Sequence, residues 1–125
     1  FDTVVTMYAY AQAVDWHVKE LRHGIYDSDM QDFDAEELFD IVRTAHKDWK
    51  KGKRVLIRCQ AGWNRSGLVM TLVLLRDGMP AKEAINLIRA TRSPHALCNK
   101  HFVQFLLSQD AEDWQGDSYG SVIKN

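Results

Sequence analysis

The sequence predicts an α/β domain in which a mostly parallel β-sheet is flanked by helices. Strand-like segments come first along the chain, and later segments change to helical periodicity. Between two helical segments lies a short apolar run, Val55 to Ile57, that shows no alternation. Such a run is typical of a parallel strand covered on both faces. We therefore expect the strand at residues 53–58 to be central in the sheet.

The first elements of the chain are two strands and a helix. Residues 1–8 are rich in β-branched and aromatic types and predict a buried strand, and residues 16–26 contain a second, less regular strand. From Asp34 the apolar residues recur at helical spacing, which predicts a helix that begins with a capping box of Asp34 and Glu37 and ends at Gly52. The expected inward face carries Leu38, Ile41, Val42, Ala45 and Trp49.

Three more helices are predicted after the third strand. The first begins near Arg65 and is apolar almost all round through Leu75, so we expect it to be the most deeply buried helix. Pro80 opens the second helix. The last helix is expected to run from Asn99, as its N-cap, to about Trp114.

The length of 125 residues suits one compact domain. We expect residues 1–114 to form a single catalytic domain and the polar residues 115–125 to form a flexible tail. The longest apolar stretch, LVMTLVLL at residues 68–75, is much shorter than the roughly 20 residues of a membrane span, so no membrane association is expected.

Charge and cysteine content limit the classes of function. The sequence has sixteen Lys and Arg and seventeen Asp and Glu, so its net charge is too small to attract nucleic acid or a membrane. Any anion must therefore be bound by a local site. The two cysteines are too few for a disulfide framework. A free thiol persists best in a reducing compartment, which favours a cytoplasmic location.

The most informative stretch is RCQAGWNRSG, residues 58–67, where a strand passes through a loop into a helix. Ligands collect at the carboxyl ends of parallel strands, and amide groups at a helix N-terminus bind anions. Gly62 permits a tight reversal of the loop, and the Arg65 guanidinium can hold two phosphate oxygens at once. The predicted phosphate-binding residues are Gln60, Ala61, Gly62, Trp63, Asn64 and Arg65.

The same positive environment lowers the pKa of a cysteine thiol, so Cys59 is the candidate nucleophile. The structural alternative is that Cys59 is a small buried residue and Arg65 a surface residue. The order of strand, glycine loop, arginine, hydroxyl and buried helix favours the chemical interpretation.

Cys59, Gly62, Arg65 and Ser66 resemble the Cys-x5-Arg-Ser/Thr loop of the cysteine-based protein tyrosine phosphatase superfamily. IYDSDMQDF, residues 25–33, is similar to the general-acid segment of the small dual-specificity phosphatases, and CNKHF resembles their later Asn-x-x-Phe element. The resemblance covers about residues 1–108. It implies a protein tyrosine phosphatase-like fold and hydrolysis of phosphoproteins without a metal or another cofactor.

Residue roles follow from this resemblance. Cys59 would attack phosphorus to form a phosphocysteine, while Arg65 and the loop amides hold the equatorial oxygens. Ser66 would donate a hydrogen bond to the departing thiolate. An aspartic acid would protonate the leaving oxygen and then deprotonate the attacking water.

Four aspartates compete for the acid role. Alignment of DSDMQDF with the family segment favours Asp29, and Asp27 and Asp32 remain open. Asp34 is better explained as a helix cap.

The sequence leaves open both the substrate and whether the protein is catalytically active. A short chain predicts a shallow pocket that admits phosphoserine and phosphothreonine as well as phosphotyrosine. CQAGWNRSG also resembles the loop of RNA 5'-phosphatases related to capping enzymes. Arg58 replaces the histidine that usually precedes the family's cysteine, which leaves open a catalytically silent phosphoprotein-binding module.

Two other clusters have ordinary interpretations. His95, Cys98 and His101 could be metal ligands, but a fourth ligand is missing and packing or surface roles are preferred. KKGKR, residues 50–54, lies before the third strand. We expect it to form a solvated turn at the end of the sheet opposite Cys59.

Overall fold

The computed structural model describes residues 3–7, 19–22, 35–58, 64–92 and 96–116. In chain order the elements are β1 (Thr3–Thr6), β2 (Lys19–Arg22), α1 (Ala35–Lys50), β3 (Val55–Arg58), α2 (Asn64–Arg76), α3 (Ala81–Thr91), α4 (Lys100–Leu107) and a 3-10 helix (Ala111–Trp114). The fold is α/β, as predicted. None of the helices in these ranges has the length and apolar character of a membrane span.

The three described strands form a parallel sheet in the order β2-β1-β3. The parallel arrangement was predicted, but the central position expected for residues 53–58 is wrong within this sheet, because β1 lies in the middle. Val55, Leu56 and Ile57 are only half-buried. The apolar run in β3 packs against α1 and α2.

Helix α2 forms the centre of the core, as its apolar sequence predicts. Along its length only Met70, Leu74 and Arg76 are not buried. It packs against α1, α3, α4, β3 and the 3-10 helix. A helix that is apolar all round is stable only when other elements cover it on every side.

Helix α1 ends at the predicted place but buries less than expected. Gly52 has a φ of +84°, a conformation that glycine adopts without strain, and its N–H bonds to the Trp49 carbonyl at 3.0 Å. Trp49, expected on the inward face, lies in the last turn of the helix and is 43% exposed. The capping box of Asp34 with Glu37 involves a residue outside the described ranges.

The predicted last helix is interrupted, and its expected end at Trp114 is wrong. Helix α4 ends at Leu107, where the Ser108 hydroxyl donates to the Phe105 carbonyl at 2.6 Å. The chain then turns so that Trp114 becomes buried and packs against the Phe39 ring, with 5.5 Å between the ring centroids. Burial of this large ring stabilises the break because a straight helix would carry Trp114 away from Phe39.

A buried polar contact joins the start of the chain to α1. The Thr3 hydroxyl donates to the Asp48 carboxylate at 2.7 Å, and both residues are at most 3% exposed. The backbone N–H of Lys53 bonds to the Asp48 carbonyl at 3.1 Å. Asp48 therefore fixes both β1 and the turn that leads into β3.

Replacement of Thr3 by valine tests this junction. Thr3→Val keeps the shape of the side chain but removes one hydrogen bond from a buried carboxylate, so the free energy of unfolding should fall by about 1.5 to 3 kcal/mol. Thr91→Val is the matched control, because the Thr91 hydroxyl is exposed and bonds only within its own helix, to Leu87. Urea denaturation measures both variants, and equal losses would contradict the assigned role of Thr3.

Candidate functional site

The predicted anion site lies where the carboxyl edge of the sheet meets the N-terminus of α2. Thr6 is level with Arg22 on one side and Arg58 on the other, so the three strands end together. Cys59 follows Arg58 directly in the sequence, and α2 begins at Asn64. Residues 59–63, like the candidate acids, lie outside the described ranges.

Arg65 and Ser66 occupy the first turn of α2 and are 9% and 4% exposed. This turn contains no acidic residue. The helix N-terminus carries a partial positive charge, and the buried guanidinium adds a full one at the same place. An anion bound here would be stabilised by both charges, so the local electrostatics suit the predicted chemistry.

Asn64 connects this first turn to the segment that precedes α4. Its side-chain oxygen accepts from the Asn99 backbone N–H at 2.9 Å, and its amide nitrogen donates to Cys98 Sγ at 3.4 Å. Both ends of the amide group are therefore held. Since Arg65 is the next residue, this contact restricts the backbone that positions the guanidinium.

Leu97 packs directly against the backbone of α2. A Cβ atom built on Gly67 would lie 3.0 Å from Leu97 Cγ, a separation shorter than normal packing allows. Leu97 is fully buried and adopts a φ of 59°, which is rare for a residue other than glycine. The backbone at this point therefore adopts an unfavourable conformation that places the Leu97 side chain against Gly67.

Arg89 of α3 holds the same segment from its other side. Arg89 Nε donates to the Ala96 carbonyl at 3.1 Å, and one terminal nitrogen donates to the Leu97 carbonyl at 2.9 Å. Two charge-assisted bonds from one planar group fix both the position and the direction of this backbone. Residues 96–99 thus form a docking segment between α3 and the start of α2.

Residues 6–111 match the model of the dual specificity phosphatase, catalytic domain, family. The chain belongs to this family. A comparison with curated protein sequences finds no match.

Solved structures of phosphatases share the fold. Tk-PTP in its active form is 29% identical with a TM-score of 0.69, and the match covers 86% of this chain and 78% of that one. Human DUSP28 is 22% identical with a TM-score of 0.73, over 85% of this chain and 76% of that one. DUSP15 is 21% identical with a TM-score of 0.71, over 85% and 67% of the two chains.

Some contacts of the dual specificity phosphatase domain were predicted from sequence and others were not. Asn99 caps α4 as expected, because its side chain accepts from the N–H groups of His101 and Phe102. Its backbone contact with Asn64 and the clamp made by Arg89 were not predicted. Asn64 at the start of a mostly apolar helix was the available signal, since a buried amide needs partners.

Of the three residues weighed as a metal site, Cys98 belongs to the docking segment and His101 to α4. Cys98 Sγ contacts the Asn64 amide, and His95 is outside the described ranges. Among the described residues of the phosphatase domain, no three His, Cys, Asp or Glu side chains are grouped closely enough to hold a metal ion.

The contact between Gly67 and Leu97 predicts that the effect of Gly67→Ala on the free energy of unfolding changes sign when Leu97 is replaced by alanine. Gly67→Ala should destabilise the phosphatase domain by about 1 to 3 kcal/mol, because the added methyl group overlaps the Leu97 side chain. In a Leu97→Ala background the same change should stabilise by about 0.5 to 1 kcal/mol, since alanine favours a helix more than glycine does. Urea denaturation of the four proteins measures both effects. A loss of equal size in both backgrounds would contradict the assigned contact.

Proposed function

We propose that the protein hydrolyses phosphotyrosine, phosphoserine and phosphothreonine esters in phosphorylated proteins. Family membership supports a phosphatase, and the position of Arg65 carries the argument for this chain. A buried cation at the positive end of a helix, in a first turn without acidic residues, favours an oxyanion.

In the proposed mechanism Cys59 Sγ attacks phosphorus while the bond from phosphorus to the ester oxygen breaks. Asp29 gives its proton to the departing oxygen. Water then attacks the phosphocysteine, Asp29 takes a proton from that water, and the phosphorus–sulfur bond breaks. Arg65 holds the equatorial oxygens in both steps, and Ser66 donates a hydrogen bond to the thiolate as it leaves.

Ser66 and Arg65 support this assignment by their burial together in one helical turn. The docking segment supports it as well, because residues 96–99 restrain the turn that bears both side chains. A site whose groups are held before the substrate arrives avoids reorganisation during the reaction. The proposal includes the amides of residues 60–64 as further donors to the phosphate.

The proposal extends to the organisation and location of the protein. We assign residues 1–114 to one catalytic domain. A nucleophilic thiol at Cys59 requires reducing conditions, which are those of the cytoplasm.

An assay of three substrates tests the proposed function. Wild-type protein should release phosphate from a phosphotyrosine peptide and a phosphothreonine peptide, and Cys59→Ser should abolish release because the attacking thiolate is lost. Phosphate release is measured alongside that from 5'-triphosphorylated RNA. Release from RNA alone would overturn the proposal in favour of an RNA 5'-phosphatase. Tight peptide binding without release would overturn it in favour of a binding module, the outcome that Arg58 before the cysteine left open.

The identity of the general acid is tested by pH dependence. Asp29→Asn should lower kcat by about 10²- to 10⁴-fold for substrates with poor leaving groups, because no proton reaches the departing oxygen. Aryl phosphates with good leaving groups should be affected much less. The dependence of kcat on pH between acidic and neutral values should flatten. Asp27→Asn is the control, and a flattened profile in that variant alone would transfer the role to Asp27.

A further inference from the structure

A basic concavity of about 640 Å³ lies at the end of the sheet opposite the predicted anion site. Its walls come from the second half of α1, the turn that follows it and the last residue of α2. The cationic side chains that line it are Arg43, Lys47, Lys51, Lys53 and Arg76. Asp48 is the one carboxylate among its described lining residues.

Two of these cations already face a carboxylate. Arg43 lies 3.3 Å from Asp40, and Lys53 lies 3.9 Å from Asp48. Lys47 and Lys51 are exposed, and neither forms an ion pair with another residue of the described ranges. The concavity therefore carries more positive than negative charge.

Arg76 adds a fixed positive charge to the same place. One of its terminal nitrogens donates to the Trp114 and Gly116 carbonyls, each at 2.7 Å, and its guanidinium lies 5.7 Å from the Phe39 ring centroid. Two separate segments, residues 43–53 and the end of α2, thus bring cations to one concavity in a chain whose net charge is −1.

The helix dipole accounts for only part of this arrangement. Lys47 lies in the last turn of α1, where a cation interacts favourably with the helix C-terminus. Lys51 and Lys53 follow the helix, and Arg76 belongs to another one. Together these cations make the electrostatic potential positive in a space large enough for several acidic side chains.

We propose that this concavity binds an acidic segment of the phosphoprotein substrate, an inference that rests on the proposed function. Lys47 and Lys51 lie one helical turn apart, about 5 to 6 Å, which is close to the spacing of about 6.6 Å between alternate side chains of an extended peptide. Phe, Tyr and Trp are absent from its described lining residues, so the concavity lacks the stacking platform of a single-stranded nucleic acid site.

The distance between the two sites sets the position of the acidic segment in the substrate. Arg65 and Arg76 lie on the same helix, and a rise of 1.5 Å per residue separates them by about 16 Å. An extended peptide covers this distance in roughly five residues at about 3.3 Å per residue, and a path over the surface is longer. The acidic segment should therefore lie about 6 to 12 residues from the phosphorylated side chain.

The test compares two phosphopeptides that differ only at four positions, glutamate in one and glutamine in the other, placed eight residues from the phosphorylated residue. The wild-type protein should show a kcat/KM about tenfold higher for the glutamate peptide, and this advantage should shrink as salt rises. Lys47→Glu and Lys51→Glu should each remove most of the advantage. Turnover of a small aryl phosphate should be unchanged, because neither lysine belongs to the predicted anion site.

Lys82→Glu is the charge-matched control, since it changes the net charge equally at an exposed position outside the concavity. An equal loss in this variant, or the absence of any preference for the glutamate peptide, would overturn the inference. Fluorescence anisotropy of the labelled glutamate peptide separates the inference from the proposed function. Binding that Lys51→Glu weakens supports docking even if no substrate is hydrolysed, whereas weakened binding of an RNA oligomer alone would overturn it.

Discussion

The burial of ten of the thirteen residues of α2 is the constraint on which the rest of the structure depends. A helix that is apolar on every side must be enclosed, and the sheet, α1, α3 and α4 are arranged around it. Because the helix cannot move without disturbing the core, its first turn has a fixed position relative to the ends of the strands. Arg65 and Ser66 obtain their geometry from this packing, and the basic concavity obtains Arg76 from the other end of the same helix.

The described sequence patterns predicted local structure better than relations between distant segments. The α2 helix could be predicted because its apolar character lies within one continuous stretch. The order of the strands could not, since it depends on which side of β1 each crossover returns. The break before Trp114 depends on Phe39, a partner far away in the chain. Local periodicity carries no information about such a contact.

The predicted site also illustrates how a short motif depends on residues outside it. Cys59, Asp29 and the residues between Cys59 and Asn64 were proposed from sequence and stay predictions. The contacts from Asn99 to Asn64 and from Arg89 to the 96–97 backbone required a three-dimensional structure, because polar residues at these positions have many possible partners. They connect the start of α2 to α3 and α4, so the predicted phosphate-binding turn is supported from two other helices.

The backbone conformation of Leu97 and the packing of its side chain favour different amino acids at this position. Its left-handed backbone favours glycine, which would remove a dihedral cost of about 1 kcal/mol or more. Glycine would also leave a void against α2, where the leucine side chain now fills the space beside Gly67. β-Branched residues are especially disfavoured at this φ. Saturation mutagenesis of this codon should therefore yield few functional clones, and the tolerated amino acids should be unbranched at Cβ.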